Sequence, residues 1–214
     1  MALGRIYLII GIGYLLLFTL ITSLAAGTAF GSTIPLLLPF FAVIGSLGGL
    51  MAFTNDRLKG VFEYLIAYGI SPRRLFANVL AASLVLVSIV IGTFAAVGLS
   101  LYLATGHAIS AALAESLALY SVPMSYASAA FAATVGMFWT SLSSPRAGMN
   151  SPVGLIPLVG MAPSILTVIG LAAAGASRAY LVLGVSVVGI VLVVLSLLRS
   201  MEKLMPRERL LAPT

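Results

Sequence analysis

The chain has 214 residues, 61% of them hydrophobic and 7% charged, with a net charge of +6 and no cysteine. Soluble domains carry about 25% charged residues to solvate their surface, so lipid is the solvent that this composition fits. The lack of cysteine excludes disulfides, thiolate metal sites and a cysteine nucleophile, and no stacking platform or basic stripe for nucleic acid accompanies the positive charge. In lipid every backbone N–H and C=O must be satisfied internally, by helices or by a closed barrel. Barrel strands alternate apolar and polar residues over short segments. The apolar runs here are long and continuous, as from Ala81 to Leu103, and they predict an all-α, polytopic membrane protein.

About 20 apolar residues cross the hydrocarbon core as a helix. In chain order the predicted spans are Ile6–Ala26, Ile34–Phe53, Leu75–Ala104, Pro123–Leu142, Pro152–Ala174 and Tyr180–Leu198. The first resembles a signal peptide, with its basic start and Ser23-Leu24-Ala25, but its apolar run exceeds the usual 7–15 residues. It is expected to be retained, which gives six transmembrane helices. Ser71-Pro72 and Ser151-Pro152 place serine where an N-cap belongs and proline at the first helical position. Ser121-Val122-Pro123 is a looser version of that signal. The segment from Ile109 to Tyr120, which contains Glu115, is expected at the surface or dipping partly inward, with the fourth span beginning anew at Pro123.

With six spans and the N-terminus inside, Arg5, Arg57, Lys59, Arg73, Arg74, Arg146, Arg199, Lys203, Arg207 and Arg209 fall on one side and only Arg178 on the other. The positive-inside bias makes the first side cytoplasmic, together with both termini.

The informative loop is Asn55–Leu75, which holds six of the sixteen acidic or basic residues. Leu58, Val61, Phe62, Leu65 and Ile66 follow the spacing of one helical face, with Asp56, Lys59, Gly60, Glu63 and Ala67 away from it. A short helix over about residues 55–68 is predicted, capped by Asn55, with Asp56 at the positive end of its dipole and Gly69 as its C-cap. The residues leave two readings open. Such a helix can anchor the loop at the membrane surface, or it can offer its polar face to a soluble partner.

This loop resembles the cytoplasmic loop of the permeases of type-2 ATP-binding cassette (ABC) exporters. The resemblance rests on Asp56-Arg57, Lys59-Gly60-Val61, Glu63-Tyr64-Leu65 and Ile70-Ser71-Pro72-Arg73-Arg74. That family commonly has Thr or Ser after the glycine and Pro before the Ile-Ser step, where this chain has Val61 and Gly69. In length the chain is similar to the small haem-export permeases of cytochrome c maturation. The resemblance implies one transmembrane permease domain over residues 1–214 in the cell membrane, paired with a second permease chain, and a coupling helix that contacts a separate ATPase. The implied contact residues are Asp56, Arg57, Lys59, Gly60, Glu63, Tyr64, Arg73 and Arg74.

A P-loop needs Lys followed by Ser or Thr. Lys59 is followed by Gly60 and Lys203 by Leu204, so the chain holds no P-loop. It is expected to bind no cofactor itself, the ATP belonging to the partner, and to be no enzyme. The predicted span cores carry no ionisable residue, which speaks against an ion-coupled carrier. Glu115 is expected at headgroup level and His107 in solvent. Zinc sites use several N or S ligands, and one His with no Cys does not supply them. Gly45 and Gly49 form a G-x-x-x-G that serves close packing within the chain or between chains. Trp139, Tyr102 and Tyr120 read as interfacial aromatics. The alternative to a permease is a non-transporting membrane scaffold or assembly factor.

Overall fold

The computed structural model describes residues 30–104, 106–142, 156–174 and 179–204. The first predicted span and the Ser151-Pro152 start lie outside them, as do Arg146 and Arg178. All regular structure among the described residues is helical: α1 (Phe30–Leu58), α2 (Val61–Ala67), α3 (Pro72–Ala104), α4 (Ala111–Ser116), a π-helical turn (Leu117–Ser121), α5 (Val122–Leu142), α6 (Ile156–Ala174) and α7 (Ala179–Leu204). Three stretches are long and apolar enough to cross a membrane: Leu37–Arg57, Pro72–Ala104 and Tyr180–Ser200; Val159–Leu171 of α6 is shorter.

α5 is the hub and packs on α1, α3, α6 and α7. Lipid tails give helices no hydrophobic reason to associate, so small side chains that allow close approach take that role. Ala127, Ser128, Ala129, Ala132, Ala133 and Thr134 of α5 are all buried. The outermost helix shows the opposite pattern: only 6% of the span in α7 is buried, and it turns Leu181, Val185, Val188 and Leu192 outward.

Two apolar clusters fix the helix directions. One joins Leu38, Phe41 and Ala42 of α1 to Val87, Ile91 and Phe94 of α3 and Ala129 of α5. The other joins Leu50 and Phe53 of α1, Phe62 and Ile66 of α2, Leu75 and Phe76 of α3 and Met137 of α5, with Leu198 of α7 against it. Hence α1, α5 and α7 run toward one end of the bundle and α3 runs away from it. The G-x-x-x-G of α1 serves this packing within the chain. A Cβ at Gly49 would stand 3.0 Å from Ser83 Cα, and one at Gly45 3.1 Å from Val90 Cγ2.

The fourth span does not begin anew at Pro123. Ser110 caps α4, its Oγ accepting from Leu113 N at 3.1 Å, and helix then continues through the π turn into α5. Proline lacks an N–H and its ring crowds the preceding turn. The wider π turn just before Pro123 accommodates both defects, and Ser121 donates its hydroxyl five residues back, to Ser116 O at 3.2 Å. Ser121 is therefore part of the turn and not a cap. Ser71 does cap α3, accepting from Arg74 N at 3.4 Å.

Candidate functional site

Every described lysine and arginine lies at one end of the bundle. Arg57 and Lys59 close α1, Arg73 and Arg74 open α3, and Arg199 and Lys203 sit in the last turns of α7, beyond Leu198. The opposite end carries His107 and Glu115.

At the basic end the loop departs from its sequence reading. Asn55 does not cap a short helix, because α1 runs through it to Leu58. Phe53 is buried in the end cluster, and nothing stops the helix before Gly60, where φ turns to +71°. That left-handed step favours glycine. It ends α1, with Gly60 N donating to Arg57 O at 3.1 Å, and serves as the N-cap of α2. Asp56 thus stands at the negative end of the α1 dipole, not at the positive end of a new helix.

Gly69 ends α2 as expected. Its φ is +86°, Gly69 N donates to Ile66 O at 2.9 Å and Ile70 N to Leu65 O at 3.1 Å. This pair of bonds is a Schellman motif, and Leu65 and Ile70, which flank it, both pack against the end cluster.

The break at Gly60 also changes the helical phase. Phe62 and Ile66 of α2 are buried and Leu65 half-buried, but Val61 of the predicted stripe is exposed. The apolar side of α2 rests on protein: the Phe62 ring meets the Phe53 ring edge-on at 4.9 Å. The outer side presents Tyr64 and Tyr68, 61% and 72% exposed, with ring centroids 4.5 Å apart. The hydrogen bond to Tyr68 holds the Tyr64 hydroxyl above the ordinary phenol range.

Of the expected contact residues, Asp56, Lys59, Tyr64, Arg73 and Arg74 are exposed, and Arg57 and Gly60 are half-buried. Glu63 lies on α2, with its side chain outside the described residues. All eight are thereby brought to one end. The sequence reading missed Tyr68, whose i, i+4 spacing from Tyr64 is a readable signal.

At the far end Glu115 is exposed and accepts a hydrogen bond from the Tyr180 hydroxyl, which ties α4 to the start of α7. His107 is half-buried and stacks on Tyr102 at 4.9 Å, so it is not simply solvated. Tyr120 is buried, its hydroxyl 3.4 Å from Ser164 Oγ, and is no interfacial aromatic. Comparison with protein-family models, curated proteins and solved structures finds no match to this chain.

Proposed function

We propose that this chain is the permease subunit of an ATP-binding cassette exporter of the type-2 kind. In this reading it sits in the cell membrane with six spans and both termini cytoplasmic. It pairs with a second permease chain and moves an amphiphilic substrate with ATP hydrolysed by separate subunits. One observation carries the reading: α2 is wedged between two left-handed glycines, with Phe62 and Ile66 buried against α1, α3 and α5. A surface anchor would bury its apolar face in lipid. A helix with that face in the protein and tyrosines outside can pass a push from a docked partner to three long helices at once. The basic charge at the same end fits the positive-inside bias, and the loop residues carry the resemblance.

Orientation is tested by labelling single cysteines, since the chain has none of its own. Lys59→Cys is expected to react with an impermeant maleimide only from the cytoplasmic side. Ala108→Cys, at an exposed position two residues after the left-handed Gly106, is expected to react only from outside. Labelling of position 59 from outside inverts the topology and removes the docking surface.

Coupling is tested by co-expression with the candidate ATPase. The isolated permease is expected to hydrolyse no ATP. In the complex, Glu63→Lys is expected to cut recovery and substrate-stimulated turnover at least tenfold. Truncating one partner of a desolvated interfacial charge pair costs about 2–5 kcal/mol, and reversal adds repulsion. An exposed charge that touches nothing contributes under about 1 kcal/mol. Unchanged recovery and turnover would return the lead to a scaffold with an anchoring helix.

A further inference from the structure

Helix α6 changes partners at Pro163. Before it, Gly160 is locked on the bundle: a Cβ there would lie 2.5 Å from Ala132 Cβ of α5 and 2.9 Å from Val43 Cγ1 of α1. Beyond it, Gly170 approaches α7, where a Cβ would lie 3.2 Å from Val182 Cγ1. The start of α7 is in turn tied to α4, since the Tyr180 hydroxyl donates to Glu115. α4 runs on into the π turn, whose Tyr120 hydroxyl lies 3.4 Å from Ser164 Oγ. These contacts close a ring. It passes from the far half of α6 through the first turn of α7, α4 and the π turn, and returns to α6.

The ring joins the rest of the bundle through backbone that bends. Toward α3 the link turns at the left-handed Gly106. Toward α5 the link is the π turn itself. Toward the first half of α6 it is Pro163, which stands inside the helix and has no N–H to give to the turn before it. Proline and π turns are where helices bend. Only α7 leaves the ring as regular helix, and there it stands off α6. A groove of about 390 Å³ lies between them, lined by Pro163 and Leu166 of α6, Val185, Ser186 and Gly189 of α7 and Phe131 of α5. Protein interiors are close-packed, so a helix tilts only where such space adjoins it.

We propose that the ring is a gate at the end of the bundle opposite the basic one. The far half of α6, the π turn and α4 tilt together about Pro163, closing the groove against α7 and lifting α4 off α1. In the closed arrangement seen here α4 and the π turn pack on α1, and α4 buries Leu113. The Tyr120–Ser164 and Tyr180–Glu115 contacts travel with the gate, so it moves as a unit and no helix has to unfold. Motion of that kind is hinge closure, carried by a few residues at element ends. The gate rests on this packing alone and holds whether or not an ATPase drives it.

The test uses the full chain in phosphatidylcholine nanodiscs and the rate at which a water-soluble maleimide modifies a single cysteine. Leu113→Cys reports opening, and Ala112→Cys, at an exposed position of the same helix, is the reference. Leu113→Cys is expected to react about 10- to 1000-fold more slowly than the reference, as for an open state populated at about 0.1–10%. Pro163→Ala gives α6 the missing donor, and Gly189→Leu fills the groove. Each is expected to slow Leu113→Cys at least about fivefold further and to leave Ala112→Cys unchanged. Gly184→Leu is expected to change neither rate. A Cβ at Gly184 or Gly189 meets nothing within 4 Å, so the fold tolerates both, but only Gly189 lines the groove. In protein that stays monodisperse, indifference of Leu113→Cys to Pro163→Ala or to Gly189→Leu means that α4 frays on its own, and overturns the proposal. Equal slowing by the two glycine variants, or equal rates for Leu113→Cys and Ala112→Cys, overturns it as well.

Discussion

Gly49→Val lowers the thermal midpoint of the detergent-solubilised chain by about 5–10 °C and reduces the folded yield, whereas Gly92→Val leaves both close to wild type. Both glycines lie inside long apolar helices, so helix propensity and lipid transfer change alike. They differ in what a side chain would meet. At Gly49 a Cβ stands 2.9 Å from Ser83 Cβ and 3.0 Å from Ser83 Cα; at Gly92 nothing lies within 4 Å. The Ser83 contact involves the backbone of α3, so no rotamer change relieves it and the two helices must separate. Overpacking of that kind costs about 1–3 kcal/mol or more, and each kcal/mol shifts the midpoint by about 2–4 °C in a chain of this size. The propensity gain on leaving glycine is below about 1 kcal/mol, so the clash wins. A Ser83→Gly change in the same chain should restore part of the loss, as a double-mutant cycle between touching residues does. Equal midpoints for Gly49→Val and Gly92→Val would refute the close approach of α1 and α3. The measurement is a thermal scan of monodisperse protein by size exclusion.

The same pair of helices shows what a sequence can carry. The long apolar runs placed α3 and α5 to within three residues and the start of α7 to within one, because a continuous apolar run in lipid must be helical, but α7 continues six residues past the predicted end at Leu198. Ser71-Pro72 and Gly69 were legible because each acts through its own backbone chemistry. Asn55 and Pro123 misled for a related reason. Asn55-Asp56 look like a helix start, but a polar residue ends no helix by itself, and α1 continues until the left-handed Gly60 stops it. Pro123 looks like a break, but a π turn absorbs it, and a 3.6-residue periodicity has no signature for that turn.

The candidate surface was legible in part for the same reasons. Charge bias alone brings Lys59, Arg73 and Arg74 to one end. Which side of α2 faces inward depended on the break at Gly60. A stripe drawn unbroken from Leu58 counts Val61 as inner, and Val61 is exposed. The groove at Pro163 was not legible, because its walls come from three helices whose pairing no local pattern encodes.

Phe62→Ala separates the two tasks assigned to α2. The Phe62 side chain is 8% exposed and packs on Phe53 in the cluster that includes Phe76 and Met137. Truncating a buried Phe costs about 3–5 kcal/mol in a well-packed core. Here the loss is expected to fall on α2 itself. The helix is seven residues long and bounded by two glycine turns, so it can lift off while the long helices stay packed. Local opening of that kind is seen as faster amide exchange over 61–67 without a matching change in α1 or α3. Tyr64→Ala is the counterpart. Tyr64 is 61% exposed, so its removal should leave exchange and thermal midpoint nearly unchanged. If α2 docks an ATPase, Tyr64→Ala weakens recovery of the complex, since an exposed aromatic at an interface is a frequent anchor. Phe62→Ala should instead retain much of the complex and lose substrate-stimulated turnover about tenfold or more, because a detached α2 can be held by the partner without pushing on the bundle. The two variants are compared by pull-down and by turnover at saturating substrate. Matching losses of recovery and turnover in both would mean that binding and transmission are not separable at α2. Wild-type turnover in Phe62→Ala, with faster exchange over 61–67, would show that the packing of α2 on the bundle carries no signal.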